Sequence, residues 1–291
     1  MPRVSIITDS AAMLDQETAE QLGITVLPLT IHIGSETFRE GIDISSEQFL
    51  ARLRQPGANP TISAPGIEEY HRVFSDLSEK SDVILALHVS SKLKNVVQTA
   101  RRAAASFVGS SKIEVLDTEA IAIPQGILVK AAAEAAAAGE EMDDIIRLMR
   151  GMIPHMYAIF FVESLEYLKN DGRVGVAQAI LGTMLGIKPL LTIEDGDIIP
   201  LEKVRNREKA IEKLLEFIGE FSHIEEITIL QDRYTDETTE LLERLGLLFP
   251  NEDFPIPIQT YGPSLAVHLG PTAMGAAIYE GTSGNGFASL R

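Results

Sequence analysis

The sequence predicts an α/β protein of two domains, an N-terminal parallel-sheet domain over residues 1–155 and a C-terminal mixed-sheet domain over 156–291. Three observations carry this. The chain has 291 residues, about twice a common domain length. In its first half, short β-branched apolar runs alternate with helical patterns, as strands joined by crossover helices require. In its second half, apolar runs flank Asp195-Gly196, a hairpin signal that demands antiparallel pairing.

The elements follow in order. Val4 to Ile7 is a strand, followed by Thr8, Asp9 and Ser10, and "MLDQETAEQLG" is a helix that stops at Gly23. "ITVLPLTIHIG" predicts a second strand, in which Pro28 marks an edge or a bend. Ser45 or Ser46, with Glu47 and Gln48, forms a capping box that opens an amphipathic helix. "GANPTISAPG" is rich in Pro, Gly and Ser and predicts a loop. Next come a helix, "IEEYHRVFSDLSEK", a buried strand, "SDVILALHVSS", and a helix, "KLKNVVQTARRAAASF". "SKIEVLDTEA" is a strand ending at Asp117 and Thr118, and two helices, "IPQGILVKAAAEAAAAG" and "MDDIIRLMRGMIPHM", close the first half.

The second half opens with the strand "YAIFFVES", the short helix "LEYLKNDGR" and the apolar helix "VGVAQAILGTMLG". The hairpin "IKPLLTIEDGDIIPLEKV" leads into the helix "NREKAIEKLLEFIGEF". The strand "IEEITILQD", the helix "TDETTELLERLGLLFP" and the strand "FPIPIQTYG" follow. "LAVHLG" predicts a last strand that ends at His268.

The 42 acidic residues outweigh the 25 basic ones, for a formal charge of -17. Nucleic-acid binding needs a basic footprint, and the chain has none. Anionic membranes repel such a surface, and no apolar run reaches the roughly 20 residues of a membrane span. An anionic ligand must therefore be held by a local cluster of donors. With no cysteines, disulfide and thiol chemistry are excluded, and a cytoplasmic location is expected. The N-terminus reads as one Arg before a strand, with no signal peptide.

Ligands of doubly wound sheets bind beyond the carboxyl ends of the strands, and small polar residues gather there. Thr8, Asp9 and Ser10 follow one strand, Ser90 and Ser91 a second, Asp117 and Thr118 a third, with Thr61 and Ser63 in the loop between. Each alone is explained by helix capping. Together they suit an anion held by hydroxyls and helix N-terminal amides. There is no Walker A sequence, no H-E-x-x-H and no G-x-S-x-G. The six His residues lack metal-ligand spacing, so no metal is expected, and His32, His71, His88, His155 and His223 read as solvated or structural.

The chain resembles the DegV family of fatty-acid-binding proteins over nearly its full length. "IITDS", "PTISAP", "HVSSKLKNVVQTA", "SLEYLKNDGRVG", "LGIKPLL", "DGDIIPLEKVR" and "VHLGPTAMG" follow in the family's order, and residues 164–205 are the most specific block. The resemblance implies a DegV-like fold with the ligand cleft between the two domains. It implies one long-chain fatty acid such as palmitate, stearate or oleate, no other cofactor and no catalytic residues of the chain's own. It also implies a separate fatty acid kinase as partner, to which the bound carboxylate is presented, and a monomer without membrane insertion.

Residue by residue, Thr61 and Ser91, or its neighbour Ser90, match the family's carboxylate-binding hydroxyls. His268 matches its histidine, and Arg173 and Arg205 match arginines that face the ligand mouth or the kinase. Lys94-Asn95-Val96, Ala64 and Thr272 depart from the family pattern. Hydroxyls and backbone N–H groups would pair the carboxylate without adding a fixed charge that itself needs desolvation. Phe160, Phe161, Ile180, Met184 and Leu185 are candidates to line an acyl tunnel, or are ordinary core. At about 0.8 kcal/mol per buried methylene, a chain of about sixteen carbons supplies ample binding energy. Two other readings stand beside this one: a small-molecule phosphotransferase or hydrolase using Asp9 and His268, and a lipid-responsive regulatory protein.

Overall fold

The computed structural model describes residues 3–170, 188–249 and 256–281. Its first half runs β1 (Val4–Asp9), α1 (Gln16–Gln21), β2 (Thr25–Leu27), β3 (Thr30–Ile33), β4 (Glu36–Arg39), α2 (Ser46–Leu53), β5 (Thr61–Ser63), α3 (Ile67–Ser78), β6 (Val83–His88), α4 (Val96–Ser106), β7 (Lys112–Asp117), α5 (Ile123–Ala137) and α6 (Met142–Met152). The second half runs β8 (Met156–Phe161), α7 (Glu166–Asn170), β9 (Lys188–Glu194), β10 (Asp197–Val204), α8 (Arg207–Gly219), β11 (Glu226–Gln231), α9 (Asp236–Leu248), β12 (Ile258–Thr260), α10 (Pro263–Leu269) and β13 (Met274–Tyr279). The predicted helix "VGVAQAILGTMLG", with Arg173, Ile180, Met184 and Leu185, lies outside the described residues.

Both predicted kinds of sheet are present. β2-β1-β6-β7 is parallel throughout. Its central strand β6 is buried at every position, as a strand covered by helices on both faces must be. β10-β9-β8-β13-β11-β12 is mixed, antiparallel except for β11 with β12. β9 and β10 turn at Asp195 (φ 49°) and Gly196 (φ 79°), the two positive φ angles that a type I′ turn requires. The capping box of α2 is Ser45 with Gln48.

Three local predictions need correction. Pro28 divides the predicted second strand: β2 joins the parallel sheet, while β3 leaves for a small antiparallel sheet, β4-β3-β5. "PTIS" is not loop but strand β5, with Thr61 opposite His32 and Ser63 opposite Thr30. "LAVHLG" is not a strand but helix α10. Pro263 sits in its first turn, where a missing N–H costs nothing. All seven residues of α10 are buried, so the run has no polar face to reveal its period. Gly270, at φ 82° and ψ -176°, ends the helix in a conformation essentially limited to glycine. A side chain there would strike the Tyr167 ring, 2.5 Å from an added Cβ.

One apolar cluster joins the halves. It takes Phe49, Leu50 and Leu53 from α2, Ile31 from β3, Val89 and Leu93 after β6, Phe160 from β8 and Leu265 to Leu269 of α10 apart from His268. No helix among the described residues is long and apolar enough to cross a membrane.

Candidate functional site

The carboxyl ends of β1 and β6 meet in a buried polar knot. Asp9, fully buried, caps the 3-10 turn that follows β1, accepting from Ala11 N at 3.1 Å on Oδ1. Oδ1 also accepts from Gln125 Nε2 of α5, at 3.2 Å. Oδ2 accepts from Val89 N at 3.0 Å and from His88 Nδ1 at 2.9 Å. The far side of the His88 ring, Nε2, lies 3.2 Å from the Tyr70 hydroxyl. Both oxygens of Asp9 are therefore occupied, and its histidine is His88.

The loop after β6 carries the two predicted serines, and they differ. Ser90 is buried, and its Oγ donates to the Gly196 carbonyl at 2.6 Å. Gly196 fits because it lacks a side chain: an added Cβ would stand 2.4 Å from Ser90 Oγ and 3.0 Å from Glu119 Cα. Ser91 is half-buried, and its hydroxyl has no hydrogen-bond partner among the described residues. The backbone amides of this loop are all in use. Val89 N serves Asp9, Ser90 N the Ala120 carbonyl, and Ser91 N the Asp117 carboxylate. Lys92 N donates to Ser90 Oγ, and Leu93 N and Lys94 N to the Ser90 carbonyl. No amide from 89 to 94 is left over for an anion, so the expected backbone donors are not here.

On β5, Ser63 Oγ bonds the His32 ring at 2.9 Å. Thr61 is exposed, and its hydroxyl has no partner among the described residues. β5 packs against α10. Ile62 and Ala64 beside Thr61, Val89 and Leu93 beside Ser91, and the residues around His268 all border the same apolar cluster. His268 itself is fully buried within α10.

Both ends of α10 are clamped. At its N-terminus, Ser264 donates from its backbone N (2.7 Å) and from its hydroxyl to the Glu40 carboxyl. Glu40 also accepts from Ser10 Oγ at 2.6 Å. Burial pushes the Glu40 pKa up, against the hydrogen bonds from Ser10 and Ser264 that lower it. Beyond the C-terminus, the buried Tyr261 hydroxyl donates to the Gly270 carbonyl (2.9 Å) and accepts from Ala273 N (3.0 Å). Arg54 donates to the Pro271 carbonyl at 3.1 Å and pairs with Asp232 at 2.7 Å. Arg207 donates to the Thr272 carbonyl at 3.3 Å.

Phe160 and Phe161 are both buried, but they are consecutive on β8 and face opposite ways. Phe160 belongs to the cluster with α10, and Phe161 to the cluster under α8 and α9. A tunnel on one face of the sheet takes only one of them. Arg205 is exposed after β10. Two residues on, Arg207 reaches Glu163, Glu237 and Thr272, with its guanidinium 5.4 Å from the centre of the Phe161 ring. Sequence reading missed Arg207, Arg54, Glu40, Tyr261 and the Tyr70–His88 pair. Only the last left a signal, since Asp9 and His88 each stand at a strand end.

A cavity of about 780 Å³ opens elsewhere, between α1, β2, the 40–47 loop, β12 and the start of α10. It touches none of Thr61, Ser91 or His268, and its carboxyls Asp15, Glu20, Glu40 and Glu47 make it a poor place for an anion.

Comparisons with known proteins agree with this architecture. A family model described as uncharacterised protein, DegV family, matches residues 3–281. The DegV domain-containing protein BH3627 of Halalkalibacterium halodurans is 32% identical over 285 residues, 96% of this chain and 99% of its own. A solved structure of a DegV family protein from Thermus thermophilus, described by its fatty acid binding, matches with a TM-score of 0.83 at 30% identity. That match covers 95% of this chain and 99% of the other. A fatty acid binding DegV family protein from Streptococcus agalactiae matches with a TM-score of 0.86 at 27% identity, over 97% of this chain and 100% of its own. Matched over residues 3–281 by the family model and over 96% of its length by a relative 32% identical, the chain belongs to the DegV family.

Proposed function

We propose that the protein binds one long-chain fatty acid between an N-terminal domain, residues 1–155, and a C-terminal domain, residues 156–291. The carboxylate is held by the Thr61 and Ser91 hydroxyls with His268, and the tail runs into apolar surface that includes Phe160. The observation that carries this reading is the pair of hydroxyls without partners among the described residues, Thr61 and Ser91, bordering the apolar cluster that holds the α10 neighbours of His268. Neighbouring hydroxyls are spent: Ser63 on His32, Ser90 on Gly196. Ser90 thus serves as a support, and Ser91 as the ligand donor. Because His268 has no solvent-facing surface, a carboxylate meets it only from inside the fold. The fatty acid binding described for the Thermus thermophilus and Streptococcus agalactiae proteins supports the ligand class. Presentation of the bound acid to a separate fatty acid kinase extends the same reading, with Arg173 and Arg205 as candidate contacts. So does a cytoplasmic monomer that acts as a carrier and not as an enzyme.

Native mass spectrometry of the purified protein tests this directly. The expected result is a complex heavier than the chain by one fatty acid, which denaturation releases. Protein that arrives empty and takes up neither palmitate nor oleate would overturn the reading. Thr61→Ala and Ser91→Ala should each weaken palmitate binding by about 1–3 kcal/mol, the cost of an anion short of one donor. Unchanged affinity in both would assign the carboxylate to other groups.

A further inference from the structure

We propose that Tyr70, His88 and Asp9 form a positioning relay that sets the spacing between the Thr61 and Ser91 hydroxyls. The inference rests on the reading that these two hydroxyls share one carboxylate.

The two hydroxyls come from separate segments, and neither is held by a hydrogen bond among the described residues. Thr61 lies on β5, which reaches α3 through only Ala64, Pro65 and Gly66. Tyr70 stands in the first turn of α3, where its amide bonds the Gly66 carbonyl. Fixing Tyr70 thus fixes the short link that carries Thr61. Ser91 comes three residues after His88, the last residue of β6. The Tyr70 hydroxyl meets His88 Nε2 at 3.2 Å, with the rings edge to face at 87°. His88 Nδ1 meets Asp9 Oδ2 at 2.9 Å, and the same oxygen takes Val89 N at 3.0 Å. The Thr118 hydroxyl donates to the His88 carbonyl at 2.8 Å.

The direction of each bond follows from the chemistry. A carboxylate only accepts, so His88 Nδ1 carries the proton that faces Asp9. Burial, reinforced by the Asp9 charge, raises the pKa of the Tyr70 hydroxyl, which stays a donor to Nε2. The relay then runs Tyr70 to His88 to Asp9 with every proton placed. All three side chains are fully buried, so none reaches a ligand. A buried hydrogen-bonded chain with one proton arrangement is stiff, because any slip leaves a donor or acceptor unpaired in a dry place. Tyr70 stands just past the link from β5, and His88 just before the Ser91 loop, so the chain ties together the two segments whose hydroxyls must meet one carboxylate.

A double-mutant cycle on the full-length, delipidated protein tests this, with palmitate binding read by calorimetry and folding by thermal unfolding. Tyr70→Phe keeps the ring and removes the hydroxyl. The expected result is palmitate affinity weaker by about tenfold in Tyr70→Phe alone, and by less than about twofold when Thr61→Ala or Ser91→Ala is already present. With one hydroxyl gone, the spacing of the pair no longer matters. A relay that is only structural would lower the melting temperature and leave affinity unchanged, or would give losses that multiply in the doubles; either result overturns the proposal. Failure of the underlying reading looks different: Thr61→Ala and Ser91→Ala would then bind palmitate as the unmodified protein does.

Discussion

Asp9 and Glu40 are two buried carboxyls, 0% and 4% exposed, and each ties several elements together. They do so by opposite means. Asp9 joins β1, β6 and α5 through four N–H donors: two backbone amides, a glutamine amide and an imidazole. The two backbone amides, Ala11 N and Val89 N, cannot turn round and accept. Glu40 joins the turn after β1 to α10 through one amide and two hydroxyls, Ser10 and Ser264. Hydroxyls rotate, and they accept as readily as they donate. Asp9 is thus anchored by donors that cannot reverse, while the hydroxyls around Glu40 can. The first region is a fixed scaffold beneath the Ser91 loop. The second is a junction whose charge is dispensable, consistent with burial raising the Glu40 pKa and the Asp9 charge adding to that rise.

Asp9→Asn should show the largest effect. One amide nitrogen would replace an oxygen that accepts two N–H donors, setting donor against donors in a dry site. The expected loss is about 3 kcal/mol or more, read as a lower urea midpoint with an unchanged slope. A loss below about 1 kcal/mol would mean that the knot rearranges freely, and the contrast with Glu40 would disappear.

Tyr261→Phe is intermediate. Its hydroxyl both gives and takes, like those around Glu40, but its two partners are fixed: the Gly270 carbonyl and the Ala273 amide. Removing it leaves both unpaired in a buried turn. The expected cost is about 1–2 kcal/mol in urea unfolding. If the turn is held instead by Arg54 and Arg207, the variant will unfold with the unmodified protein and Arg54→Met will show the loss.

How much of this was legible in the sequence depends on the range of the cause. The parallel sheet could be read from alternating runs, and the β9–β10 hairpin from Asp195-Gly196, because those signals are local. Helix α10 could not, since a short, wholly buried segment reads alike as buried strand or buried helix. β5 is three residues long and exists because β3 leaves the parallel sheet at Pro28. The strand-end pattern picks out Thr61 and Ser91 among other hydroxyls, and only the family resemblance assigns them, with His268, to one carboxylate. What separates Ser90 from Ser91 is a carbonyl 106 residues away, which no local pattern encodes. His88 read as structural or solvated because its partner is 79 residues distant. Strand order alone would have sufficed there: the register that sets Ile7 beside Ala86 carries Asp9 level with His88 two residues on.

Glu40→Gln should have the smallest effect, and its pH dependence decides the comparison. An amide oxygen still accepts from Ser264 N, and the amide NH2 can donate to hydroxyls that reverse their roles. At neutral pH the variant should match or exceed the unmodified protein, within about 1 kcal/mol. The sign follows from linkage. Below the ordinary value of 4.5, Glu40 is protonated in both the folded and the unfolded chain. As pH rises from 4.5 through the raised folded value, the unfolded chain releases its proton first, and the folded state loses stability. Glutamine has no proton to lose, and every other carboxylate is common to both proteins. The stability difference, Glu40→Gln minus unmodified, should therefore climb in favour of the variant across that window and then level off. A difference that runs the other way, with the variant weakest at neutral pH and recovering in acid, would make Glu40 a required anion of the same kind as Asp9.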